Sequence, residues 1–256
     1  MLYASIPAFH TLLTELYNNI YLTKTLSPSQ KQAIITLIPK LNHPVSFSDW
    51  RPISLLNTDY KILGIIIANR LKPLLSEYIS LEQQCGLPNR HLYNCHLSIK
   101  AAIEYATDLS LPLAIVQIDF RKAFDSLSHS FLLDTARQIG IPHSLLSWIK
   151  VFLNSIHSRI LLNGQFSNKI PMTNGIRQGC PLSMLLFIIG IEPLIRKLKS
   201  CPSIHGLRIG SKELKLTQYA DDIILFLTDK QSFNTCLDII NSFSSFSNLQ
   251  NQPQQN

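Results

Sequence analysis

Leu214-Lys215-Leu216-Thr217-Gln218-Tyr219-Ala220-Asp221-Asp222-Ile223-Ile224-Leu225-Phe226-Leu227 reads as two strands joined by a tight turn, with Tyr219-Ala220-Asp221-Asp222 at the bend. Two adjacent aspartates ahead of an apolar strand repel each other. A lone pair of this kind is most often an ordinary exposed turn. It becomes a site when a cation sits there, and a second acid upstream favours that reading. Leu113 to Ile118 (LAIVQI) is apolar enough to be a central strand, and it ends on Asp119. A carboxylate at the end of a buried strand is costly unless something pairs with it. By itself it would be a strand-end cap or an ion-pair partner. The three acids together offer hard oxygen ligands. Those suit Mg²⁺, which takes few protein ligands and completes its shell with phosphate oxygens. Two such ions about 4 Å apart can activate an attacking hydroxyl and stabilise a leaving pyrophosphate.

Outward from these acids, the chain alternates helical and extended signals. Phe9, Leu12, Leu13, Leu16, Tyr17 and Ile20 follow helical spacing over 7–23. Ala33 to Ile38 is a β-branched run ended by Pro39-Lys40. Helices are expected over Asn57–Leu75 and Asn89–Ala106. Another runs over about 129–139, capped by Ser128 and closed by Gly140. Pro142 begins a helix through about Leu153, and Pro181 opens a long one ending near Lys199. Asn163-Gly164 marks a two-residue hairpin between apolar runs. From Asn241 the chain reads NSFSSFSNLQNQPQQN, a polar stretch expected to be frayed or disordered. The expected fold class is α+β, with helices packed on a small, mainly antiparallel sheet.

Composition bounds the function. Hydrophobic residues make up 46% of the 256 and charged residues 15%, which is a globular balance. A net charge of +7 is compatible with a polyanionic partner, although a basic soluble enzyme would show the same surplus. Five scattered cysteines with no CxxC pair point to reduced thiols, and Cys85, His91, Cys95 and His96 fit no zinc spacing. The opening residues lack the basic and apolar regions of a signal peptide. The longest apolar run, Met184–Ile191, falls far short of the ~20 residues that span a bilayer. The expectation is a soluble intracellular protein, with nucleus and cytoplasm equally open.

Seven elements in a fixed order give the chain its resemblance. They are Ile38-Pro39-Lys40; Asp49-Trp50-Arg51-Pro52-Ile53-Ser54-Leu55; Tyr60-Lys61 with Ala68-Asn69-Arg70-Leu71; Gln84-Cys85-Gly86; the block from Val116 through Asp119 to Asp125; Gly175-Ile176-Arg177-Gln178-Gly179-Cys180-Pro181-Leu182-Ser183; and Tyr219-Ala220-Asp221-Asp222. In these the chain resembles the reverse transcriptase domain of non-long-terminal-repeat (LINE-type) retrotransposons.

That resemblance implies the fingers and palm of a right-hand polymerase. Fingers with an N-terminal extension would span 1–110, the palm 111–240 and a polar tail 241–256. It implies RNA-directed DNA polymerase activity by a two-metal mechanism, on an RNA template, a DNA primer and deoxynucleoside triphosphates. The cofactor would be two Mg²⁺, with Mn²⁺ as the substitute. No membrane or protein partner is implied.

Asp119, Asp221 and Asp222 would be both catalytic residues and metal ligands, joined by the backbone carbonyl of Phe120. Ala123 and Phe124 would offer backbone N–H groups to the triphosphate. Phe124 would also exclude a 2′-hydroxyl, although at this spacing an aromatic is otherwise core. Gln178 and Gly179 would shape the nucleotide pocket, and Lys40 and Arg51 would grip phosphate oxygens. Asp125 reads as a cap for the following turn.

Two departures from the family stand out. After Gly86 the family continues with Phe and reaches Arg one residue later than here, so the role of Arg90 is displaced. The palm's end and the thumb are not matched after Leu227, which gives a second expectation: a truncated, inactive remnant with residual nucleic-acid binding.

Overall fold

The computed structural model describes residues 7–251. The polar tail beyond Asn251 and the first six residues of the fingers-like region lie outside it.

Helix α1 (Pro7–Thr23) and the single turn α2 (Pro28–Lys31) lead into strand β1 (Gln32–Pro39). A 3-10 turn over Phe47–Asp49 precedes β2 (Trp50–Leu55). Next come α3 (Thr58–Tyr78), α4 (Leu92–Asp108), β3 (Ala114–Ile118), β4 (Phe120–Arg121), α5 (Ala123–Ser126), α6 (His129–Gln138) and α7 (His143–Leu153). Strands β5 (His157–Leu162), β6 (Gln165–Phe166) and β7 (Ile170–Pro171) follow, then α8 (Ser183–Ser200). The last part holds β8 (Leu207–Ile209), β9 (Lys212–Leu214), β10 (Leu216–Tyr219), β11 (Asp222–Leu227), α9 (Lys230–Ser247) and β12 (Gln250–Asn251).

Most elements fall where the sequence places them. Ser128 caps α6 by accepting from the Phe131 N–H, and Gly140 closes it at φ +89°. Asn163 and Gly164 both take positive φ, as a primed hairpin turn between β5 and β6 requires.

Two sheets divide the molecule. The first runs β2-β1-β5-β6 with β7 also on β5; β1 is antiparallel to β2 and parallel to β5. The second is antiparallel, β10-β11-β3. Between them lies the main core, built around α8, whose residues from Leu185 to Ile191 are all buried.

Strand β11 explains its own unbroken apolar run. Ile223, Leu225 and Leu227 face the main core, while Ile224 and Phe226 face a smaller cluster under α4 with Ala102 and Ala106. Successive strand residues point to opposite faces, so a strand covered on both sides must be apolar throughout.

Two expectations are corrected. The strand ending at Asp119 is an edge, not the centre: among the described residues β3 pairs with β11 alone, and Ala114, Ile115 and Gln117 are exposed. The polar tail is ordered through Asn251. Helix α9 continues to Ser247, burying Cys236, Ile240, Phe243 and Ser247 at intervals of four, three and four, and Asn248 ends it at φ +63°. Leu249 is fully buried and β12 pairs antiparallel with β4. Helical spacing of a few buried residues outweighs the polar composition of the rest.

Candidate nucleotidyl-transfer site

The acids come together at one end of the second sheet. Register pairs Ile223 with Ile118 and Tyr219 with Asp222. Asp119 therefore follows the end of the edge strand, beside the turn that carries Asp221. Ala220 takes φ +55° to make that turn in two residues. Gln117 donates from Nε2 to Asp222 Oδ1 at 3.2 Å across the β3–β11 pair.

Burial, first, holds the Asp221 carboxyl above its ordinary value of 3.8, and the negative charges of Asp222 and Asp119 push it the same way. A hydrogen bond from its own backbone N–H opposes them. Among the described residues no lysine, arginine or histidine forms an ion pair with any of the three. Also among the described residues, no group of three or more His, Cys, Asp or Glu is gathered closely enough to hold a metal ion. The charges of Asp119 and Asp222 nevertheless act on Asp221. Uncompensated carboxylate oxygens at a sheet end are the donor set a hard divalent cation fits.

The Phe120–Asp125 block wraps into α5. Lys122 takes φ +49° at its start. Phe120 and Ala123 are both buried at 3% exposure, so only their backbone groups can serve a ligand. Phe124 is half-buried and stacks on Phe187 of α8, with centroids 4.8 Å apart. Its carbonyl accepts from the Ile176 N–H at 2.7 Å. Asp125 does not cap the following turn, because Ser128 takes that role; its carboxylate instead accepts from Gln178 Nε2.

The loop carrying Gln178 lies against both sheets' neighbours. The Ser54 N–H of β2 donates to the Gln178 carbonyl at 2.8 Å. Gly179 sits at φ +113°, and a Cβ there would lie 2.7 Å from the Ser54 carbonyl oxygen. Beside this loop a cavity of about 280 Å³ is walled by Ile35, Pro52, Ser54, Asp125, Met172 and Gln178 among others. Arg51 lies in β2 of the first sheet and Lys40 directly follows β1; that sheet shares no strand with the acids. Both are exposed at the loop end of the β1–β2 hairpin, where Ile38 pairs with Arg51 and the Lys40 N–H donates to the Asp49 carbonyl at 2.7 Å.

Two arginines acquire roles that sequence reading did not give them. Arg177 is 2% exposed and donates to the carbonyls of Gln30, Lys31 and His157, tying the loop before α8 to α2 and to β5 of the first sheet. Arg90 donates to the carbonyls of Ser76, Ile79, Ser80 and Gln83, closing the C-terminal end of α3. Its place beside the shortened Gly86 segment was visible in the sequence; its partners, all backbone, were not.

Comparison with known proteins accords with this geometry. Residues 38–254 match the family model described as reverse transcriptase (RNA-dependent DNA polymerase). The chain is 31% identical to the uncharacterized 149 kDa protein of transposon TX1 from Xenopus laevis, over 93% of this chain and 18% of that protein. It is 29% identical to a Pol polyprotein of the retrotransposable element R2 from Popillia japonica, over 81% of this chain and 29% of that protein. The chain thus spans less than a third of either relative. Among solved structures, apo telomerase from Candida tropicalis superposes with a TM-score of 0.61 at 13% identity, over 95% of this chain and 48% of that one. Among the described residues no helix is long and apolar enough to cross a membrane. The chain belongs to the reverse transcriptase family, of the type that non-long-terminal-repeat retrotransposons carry.

Proposed function

We propose that this chain is the fingers-and-palm part of an RNA-directed DNA polymerase that adds deoxynucleotides to a primer 3′-end. The observation that carries the reading is the set of three carboxylates with no cationic partner among the described residues, Asp119 at the end of β3 and Asp221 and Asp222 at the β10–β11 turn, with Asp221 raised by burial and by the other two. Asp119, Asp221 and Asp222 would hold two divalent cations, Mg²⁺ or Mn²⁺. Once bound, such a pair supplies charge neutralisation for the attacking hydroxyl and the departing pyrophosphate.

The chain's own residues do the positioning. The backbone N–H groups of Ala123 and Phe124 lie beside the acids in sequence and suit a triphosphate oxygen. Phe124, fixed by Phe187, presents a rigid edge to a sugar. Gln178, bonded through its carbonyl to β2 and through its amide to Asp125, links the nucleotide side to the first sheet. Lys40 and Arg51, exposed at the loop end of the β1–β2 hairpin, would contact phosphate oxygens. The template groove would draw on the basic surplus, since polyanion affinity rests on backbone contacts.

The test is extension of a DNA primer on an RNA template with Mg²⁺, using Asp221→Ala as the control. Extension by the wild type and none by the variant supports the reading. No extension by the wild type at high protein concentration sinks the polymerase reading for this chain.

A further inference from the structure

We infer that Gln83 is a positioning residue that clamps the turn holding Asp221 and Asp222. Gln83 lies in the loop after α3, 137 residues from the turn, and is 1% exposed. Its Oε1 accepts from the Ala220 N–H at 3.0 Å, and its Nε2 donates to the Ala220 carbonyl at 3.4 Å. One side chain therefore holds both peptide groups of the residue that must sit at φ +55°. Alanine pays for that left-handed conformation with a clash between its Cβ and the following carbonyl. An outside clamp on both sides of the residue offsets it.

The loop is itself fixed so that it can act as a clamp. The Gln84 N–H donates to the Gln218 carbonyl at 2.8 Å, and the Gln218 N–H to the Glu82 carbonyl at 2.9 Å. This makes a parallel bridge alongside β10, opposite β11. Gln83 Oε1 also accepts from the Cys85 N–H at 3.0 Å, and the Gln83 carbonyl accepts from Arg90. A glutamine buried this completely, with every polar atom aimed at backbone, costs more than an apolar residue unless its bonds are needed. What they hold is the conformation that spaces Asp221 from Asp222.

The inference rests on the two-metal reading only for its consequence at the acids. Two measurements on the full chain separate the two. The first is amide hydrogen exchange resolved to residues 219–222. Gln83→Leu is expected to raise exchange at Ala220 by roughly tenfold, the scale of a left-handed residue's intrinsic cost, while β10 and β11 stay protected. The second is Mn²⁺ binding followed by electron paramagnetic resonance. Gln83→Leu is expected to weaken it by a similar factor. Adding Ala220→Gly should restore most of the affinity, because glycine takes positive φ without penalty. A merely structural loss would not respond to that second change.

Should the leucine variant fail to fold, Gln83→Asn keeps an amide but falls one methylene short of Ala220, and the same two effects are expected. Unchanged exchange at Ala220 in a folded variant overturns the clamp. Wild type that binds no Mn²⁺ through Asp221 overturns the metal reading, and the exchange measurement still decides Gln83.

Discussion

Gln178 donates its side-chain amide to both carboxylate oxygens of Asp125, at 3.3 and 3.4 Å, and both residues line the cavity that Ile35, Pro52 and Ser54 of the first sheet also wall. The bond does not keep Asp125 an ordinary acid. Burial raises its carboxyl above the usual 3.8, and Gln178 and Lys122 lower it only in part. The folded chain therefore keeps a proton that the unfolded chain has already released. This group's contribution to stability is complete below pH 3.8 and declines as pH climbs through the raised value. Asp125→Asn keeps an acceptor for Gln178 and removes the titration. Unfolding free energies in urea should diverge in favour of the variant as pH rises from 3.8 through the raised value. A difference that stays flat across that range would contradict the assignment.

The cluster of like charges makes a second prediction. Asp221 is destabilised by burial and by its two neighbours. Asp221→Asn removes one charge and should stabilise the metal-free chain by roughly 0.5–1 kcal/mol, the scale of relieving adjacent like charges. Added Mg²⁺ should then raise the melting temperature of the wild type more than that of the variant. Equal shifts in the two proteins would mean the cation binds elsewhere.

Glycine at 179 is required by geometry. Positive φ and a carbonyl at 2.7 Å act together, and the obstructing atom is backbone that cannot swing away. Gly179→Ala should cost on the order of 2–3 kcal/mol, since left-handed backbone alone costs about 1–2. Gly164, also at positive φ but with nothing within 4 Å, provides the comparison. Gly164→Ala should cost about half as much. Denaturant midpoints that coincide for the two variants would remove the Ser54 contact from the explanation.

Arg177 makes the corresponding case for charge. Its guanidinium serves three carbonyls on two separate segments and lies over the Tyr60 ring at 5.3 Å. Arg177→Met fills the space but strands three acceptors, at about 1–3 kcal/mol each, so a total loss of at least about 3 kcal/mol is expected. Arg177→Lys should recover little, because an ammonium lacks the planar fork. Full recovery by lysine, measured by urea unfolding, would show that charge alone suffices.

The sequence made some of this legible and hid the rest for definite reasons. The β10–β11 hairpin could be read because apolar strands and a polar bend differ sharply in residue type. The edge position of β3 could not. An apolar run signals burial but not pairing, and Leu113 and Val116 are half-buried while Ile115 stays exposed. The roles of Arg90, Arg177 and Gln83 were hidden because their partners are backbone carbonyls and N–H groups, which leave no mark on residue identity. Asp125 was misread as a local cap because its partner, Gln178, lies 53 residues away.

The segment after Ser247 gives the last prediction. Its residues are polar apart from Leu249, and composition alone suggested disorder. Yet Leu249 is fully buried, Asn248 donates to the Ser126 carbonyl at 2.9 Å, and Gln250 and Asn251 pair with Arg121 and Phe120. That pairing fixes the backbone immediately after Asp119, so the stretch stabilises the site's floor as well as the chain's end. Leu249→Ala should cost about 2–4 kcal/mol, the usual range for emptying a buried leucine site. The same substitution at Leu81, which is 74% exposed, should cost under about 0.5 kcal/mol. If the segment were frayed, the two variants would unfold at the same urea concentration. A gap between them, with exchange at Phe120 and Arg121 rising only in Leu249→Ala, is the expected result, because losing the anchor frees the strand that covers them.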